Sequence, residues 1–235
     1  MDWTDTDAIL DYYHGLIAGG SGYVGYSEST LKAAIVRAAV ALPGRRVLEV
    51  GAGPNPVVAF TLAGAGREVS IVEISPDFCE TAGLNAKRNG VELTITCAPG
   101  HKVPLPDGVA DTVIMTEVLE HVPNDLELPT LRELRRLVAD DGHLLISVPN
   151  ANSWFARWNA WRNGGEVEEN EEHLREYTVA GLRDRLLDAG FAVERPISVA
   201  ATDRPFRETR AAWVIDRLAF RAEWTLKAAA VARPV

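Results

Sequence analysis

The segment Val47-Leu48-Glu49-Val50-Gly51-Ala52-Gly53-Pro54-Asn55-Pro56 joins an apolar run to a glycine turn and then to a helix start. Glycines at 51 and 53 let the backbone turn sharply and come close to a ligand. The helix start that follows offers N–H groups with no partner of their own. A dinucleotide-binding turn has a third glycine where this chain has Pro56, which argues against a nicotinamide-dependent dehydrogenase. A Gly-x-Gly pair also occurs in tight turns that hold nothing, so its meaning rests on context. Glu73 supplies that context: it closes Val69-Ser70-Ile71-Val72, 22 residues after Gly51. An acidic residue at a spacing of about 20 can reach a ribose. A carboxylate there accepts hydrogen bonds from both ribose hydroxyls and repels a 2′-phosphate.

The side chains able to move a proton near neutrality are His14, His101, His121, His143 and His173. His143 opens an apolar strand and reads as structural. His14 follows Tyr12 and Tyr13, so this trio either faces an acceptor or forms an aromatic helix face against the core. His173, Arg175 and Tyr177 alternate just before a helix and are either structural or acceptor-facing. Trp154, Trp158 and Trp161 recur at helical spacing, which suits a core, a homodimer contact or a platform for a flat acceptor. Asn124, Asp125, Asn150 and Asn152 do not form the clustered oxygen set that a hard cation needs, so no metal is expected.

These residues need a scaffold, and the chain alternates apolar runs with helix-like stretches from residue 45 onward. That pattern predicts strands at 46–50, 68–73, 92–97, 112–115, 143–148 and 191–199, and helices at 56–65, 76–89, 126–139 and 179–189. Thr178 and Gly190 punctuate the last helix as its N-cap and its stop. Residues 1–42 read as an N-terminal helical cap with a glycine-rich turn at 19–25. The main domain spans 43–235, with insertions at about 150–177 and 205–224. Residues 226–232 are a weak strand candidate, because alanine is a poor strand former.

With 235 residues and 47% hydrophobic content the chain can fill one substantial core. Its 24 Lys and Arg against 33 Asp and Glu leave a net charge of −9, which opposes nucleic acid as a partner. Cys79 and Cys97 are too few for a disulfide framework and lack zinc-site spacing, so a reducing, cytoplasmic setting is expected. The acidic start and the lack of a long apolar run predict a soluble protein without a membrane span.

Three motifs in register, VLEVGAGPN, the acidic end of SIVEIS, and PLPDGVADTVIMTEVLEHVPN, resemble the class I methyltransferases that depend on S-adenosylmethionine (SAM). The likeness covers about residues 45–195, and the last motif is closest to the branch acting on small molecules and quinones. The resemblance implies a Rossmann-like α/β fold, a mostly parallel seven-stranded sheet with helices on both faces. It implies SAM as cofactor, S-adenosylhomocysteine (SAH) as product, and a small organic acceptor, possible natural products included. By the same resemblance Glu49, Gly51, Ala52 and Gly53 meet the methionine part, Glu73 the ribose and Ile74 the adenine. Thr116, Glu117 and Val118 line the region of the sulfonium, and His121 one turn on either braces that turn or takes part in catalysis. Tyr13 and His14 fall where the family closes a lid, and His173 falls in a pattern of this branch. Where the family has Gly-Asp-Ala, this chain has Ala98-Pro99-Gly100. The usual acceptor for the adenine amino group is therefore missing, and the backbone of Gly100 and His101 is the expected substitute. A cyclase that retains SAM without transferring methyl, and a partner-binding member of the same fold, are the competing readings.

Overall fold

The computed structural model describes residues 26–153, 161, 174–197 and 227–235. The first part of the expected cap, residues 1–25 with the lid residues Tyr13 and His14, the residues Trp154, Trp158 and His173, and the insertion at 205–224 lie outside them, while the second part of the cap is helical as expected. Helix α1 spans Tyr26–Val40, followed by β1 (Arg46–Val50), α2 (Val57–Gly64), β2 (Glu68–Glu73), α3 (Pro76–Arg88) and β3 (Thr94–Cys97). Then come β4 (Ala110–Thr116), a 3₁₀ turn at Leu119–His121, α4 (Glu127–Leu137), β5 (Val138–Pro149), α5 (Val179–Asp188), β6 (Phe191–Pro196) and β7 (Lys227–Pro234).

The strands form one seven-stranded sheet in the order β3-β2-β1-β4-β5-β7-β6, parallel except where β7 runs against β5 and β6. Central strands read as unbroken apolar runs because both of their faces are covered. One cluster holds Leu31, Ile35, Val58 and Leu62 from α1 and α2 against Val47 and Ile114. The other holds Leu131, Leu134, Leu182 and Leu186 from α4 and α5 against Leu48, Val50 and Met115. The expected α/β architecture with helices on both faces is the one observed.

Side-chain caps hold the helix starts, at Thr178 where the sequence predicts one and at Ser75 where only the structure shows it. The Ser75 hydroxyl accepts from the Phe78 N–H and caps α3, with Pro76 in its first turn. The Thr178 hydroxyl accepts from the Gly181 N–H at 2.9 Å and caps α5. Strand β5 starts at Val138 rather than 143, and the weak strand candidate at 226–232 is borne out as the full strand β7. Both follow from pairing: Ala110 aligns with Val138, and Leu145 and Ile146 align with Val231 and Ala230. A slot between two strands suits small side chains whatever their intrinsic preference.

The cysteines correct the expectation of a chain without disulfides: Cys79 and Cys97 are bonded, with Cα atoms 6.2 Å apart. Parallel pairing sets Cys97 opposite Glu73, while α3 returns Cys79 to the same corner, a proximity that residue spacing does not reveal. The bond ties α3 to the end of β3. No described helix is long and apolar enough to cross a membrane.

Candidate active site

The order of strands reverses between β1 and β4, and in open α/β sheets ligands bind outside the carboxyl ends at such a point. Gly51 lies there at φ 75°, and its N–H donates to the Val72 carbonyl at 2.8 Å. A Cβ at this position would overlap a methyl of Val118, which follows β4. Only glycine lets the two loops close on each other. Gly53 turns at φ 67° and donates its N–H to Glu73 Oε2 at 2.8 Å, while the Ser75 N–H donates to Oε1 at 3.0 Å. Glu73 is thus buried at the end of β2 and fixed by two backbone donors. Four lone-pair sites on a carboxylate leave capacity for a vicinal diol as well.

Beside this carboxylate opens a cavity of about 270 Å³, with Gly51, Ile74, Gly100, His101, Val118 and His121 among its lining residues. Ile74 is 68% exposed, an apolar surface that a flat base can cover. Of the residues that sequence assigned to a cofactor, the fold therefore gathers Gly51, Ile74, Gly100, His101 and Val118 on one cavity, with Gly53 and Glu73 bonded at its edge.

Others have different surroundings. Glu49 faces the α1–α2 side with Val47, two residues before it on the strand. Its carboxylate accepts from the Ala59 N–H at 2.9 Å, and burial pushes it up to about 7 against the opposing pull of Lys32. Glu49 is not among the cavity-lining residues; it fixes α2 behind the glycine turn. Ala52 packs against the same core cluster. Thr116 pairs with Ser147 inside the sheet. Glu117 adopts φ 55°, the one non-glycine residue at positive φ among those described. Its N–H donates to the Ser147 carbonyl, the Ser147 hydroxyl donates to Oε1 at 2.9 Å, and Lys227 pairs with Oε2. This twist turns Glu117 back over β5 and lets Val118 cover Gly51.

Two features, Glu120 and Lys227, escaped sequence reasoning. Glu120 is 1% exposed, and neither carboxylate oxygen has a hydrogen bond among the described residues. Burial, reinforced by Glu117, pushes it up to about 7. Its signal was a charged residue directly after the apolar Val118-Leu119. Lys227 reaches Glu117 across 110 residues, which no local pattern announces. Arg175 and Tyr177 form a knot. The guanidinium donates to the Leu119 and Val122 carbonyls and to Asn124, and the Tyr177 hydroxyl donates to Glu127 at 2.7 Å. Of the two roles open to this pair, the contacts are structural ones, pinning the loop after β4. His143 pairs with Glu194 within the sheet edge. Trp161 is exposed.

A family model described as a methyltransferase domain matches residues 23–195, which include every element from β1 to α5. The chain belongs to the class I SAM-dependent methyltransferases. It is 30% identical over 147 residues to a protein of Mycobacterium tuberculosis named a probable S-adenosylmethionine-dependent methyltransferase, covering 63% of this chain and 48% of that protein. It is 31% identical over 116 residues to a ubiquinone biosynthesis O-methyltransferase of Xanthomonas campestris, covering 49% of this chain and 47% of the relative. The chain spans about half the length of the curated relatives it matches. The fold matches the magnesium protoporphyrin IX methyltransferase of Synechocystis, crystallised with SAH. That match has a TM-score of 0.63 at 20% identity over 98% of this chain and 100% of the other. SAM is the cofactor of this methyltransferase family, and the glycine cradle, the Glu73 carboxylate and the apolar cavity fit its shape and polarity.

Proposed function

We propose that this methyltransferase domain transfers a methyl group from SAM to an O, N or C atom of a small organic acceptor by direct in-line displacement. The observation that carries the reading is Glu73, fixed at 2.8 and 3.0 Å by Gly53 and Ser75 beside the cavity. SAM brings an electrophilic methyl on a sulfonium, so the protein's task is alignment and exclusion of water. Gly51 and Gly53 admit the polar chain of the cofactor, Glu73 holds the ribose hydroxyls, and Ile74 covers the base. Val118 closes the wall between cavity and β4. His121 stands beside Glu120 at the edge of the cavity, placed to take a proton from an acceptor hydroxyl or ammonium. The net charge of −9 supports a small molecule over nucleic acid, and a homodimer through the tryptophan segment belongs to the same reading.

Calorimetry with SAM and SAH tests the cofactor half. Wild type binds both, and Glu73→Ala loses on the order of 1–3 kcal/mol with the ribose bonds. Failure of wild type to bind either compound sinks the proposal. The acceptor half is read as SAH released from SAM across a panel of phenols, quinols and amines. Consumption of an acceptor with no SAH formed indicates a cyclase, and no consumption of any acceptor supports a partner-binding member.

A further inference from the structure

The cavity's corner after β3 carries an anomaly. A nucleoside whose ribose sits on Glu73 directs its base along Ile74 and the run Ala98 to His101, because these residues line the cavity next to the end of β2. Adenine presents an exocyclic amino group there, a donor that needs an acceptor. None of the lining residues is Asp or Glu. Pro99 has no N–H, and its carbonyl already accepts from the Lys102 N–H at 3.0 Å. Glu133, whose charge reaches His101, is spent on other donors: the Val103 N–H at 2.7 Å and the Arg136 guanidinium at 2.7 and 2.9 Å.

The polar side chains that line the cavity are then those of His101, His121 and Thr130. His121 belongs to the turn after β4, beside Glu120. Thr130 is buried on α4. His101 is half-buried, directly follows Gly100, and has no hydrogen bond to its imidazole among the described residues. A neutral imidazole has one nitrogen that accepts.

We propose that His101 holds the adenine of the cofactor, its ring nitrogen accepting a hydrogen bond from the exocyclic amino group in place of a carboxylate. This inference rests on the SAM-binding reading above. Gly100 lies on the floor of this corner, where a Cβ would meet Val50, Thr130 and Met115 in ordinary contact at 3.5 to 3.8 Å.

The test is calorimetric binding of two ligands by the full chain: SAH, and its analogue with hydrogen in place of the amino group. Wild type binds SAH more tightly than the analogue by about fivefold to tenfold, the size of one hydrogen bond. His101→Ala binds the two alike, whatever packing it loses to both, while His101→Gln, whose amide oxygen can accept, restores a preference for SAH. Thermal melting confirms that both variants fold. A wild type that binds both ligands equally, or an alanine variant that keeps the full preference, overturns the inference. A wild type that binds neither overturns the cofactor reading beneath it.

Discussion

Single residues set this site through backbone conformation as much as through side-chain chemistry. Gly51 at φ 75° sits against Val118, so Gly51→Ala strains the turn and pushes Val118 away together. We expect that variant to lose SAH affinity by more than about tenfold and stability by about 1–3 kcal/mol, read by calorimetry and by urea unfolding. Glu117 in the left-handed region is the counterpart on β4, held there by Ser147 and Lys227. Glu120 poses the opposite case, a buried carboxylate without a hydrogen bond among the described residues. An unpaired buried acid prefers to be neutral, which is why burial pushes it up to about 7. Glu120→Gln removes the ionising group while keeping its shape. The variant should be more stable than wild type at pH 8 by on the order of 2 kcal/mol and nearly equal at pH 5. Equal denaturation midpoints for the two proteins at pH 8 would refute this.

At the scale of elements, the loops that carry the site are tied to the scaffold at two points. Arg175 and Tyr177 bind the turn after β4 to the start of α5 through Leu119, Val122, Asn124 and Glu127. Burial raises the Tyr177 hydroxyl above the usual phenol range, so it stays protonated and donates to Glu127. Tyr177→Phe takes the hydroxyl donor from Glu127 Oε1 and leaves that carboxylate only the longer contacts of Arg175 and Arg185, and a loss of about 1–3 kcal/mol in unfolding free energy is expected. Val118 and His121 ride on this turn, so SAH affinity falls with it; unchanged stability and affinity would contradict the knot. The second tie is the bond between Cys79 and Cys97, on either side of Glu73 in the fold. It closes a short loop, and reducing it with a phosphine should lower the thermal midpoint of wild type but not of Cys97→Ser.

Over the whole molecule, the buried acids give stability a definite dependence on pH. Glu49 and Glu120 both stand at about 7 in the folded chain, above the range of an exposed carboxylate. The folded state then binds more protons than the unfolded one between about pH 4.5 and 7, and stability falls as pH rises through that window. Asp111 acts in the other direction. Arg46 beside it, with the Arg45 and Arg46 N–H groups at 2.8 and 2.9 Å, lowers its carboxyl to about 2. Its contribution is complete above about pH 4 and is lost as pH falls through 2. Chemical denaturation from pH 3 to 9 should show a maximum on the acid side of neutrality, and a maximum at pH 8 or above would contradict these assignments.

The sequence by itself determined the βα alternation, the glycine turn after β1, the acid at the end of β2 and the cap at Thr178. Each is set by a local rule: an apolar period, a backbone that only glycine tolerates, or a side chain bonding an N–H three residues on. Tertiary structure alone decided the rest. It turned Glu49 to the α1–α2 side of the sheet, because strand parity and not residue type fixes which face a side chain takes. It made a full strand of the weak candidate in the alanine tail, because β5 and β6 supply partners on both of its edges. It joined Cys79 to Cys97, set Lys227 against Glu117 and buried Glu120 without a hydrogen-bond partner among the described residues. Those contacts depend on how a parallel sheet stacks distant segments side by side, and spacing along the chain carries no record of that stacking.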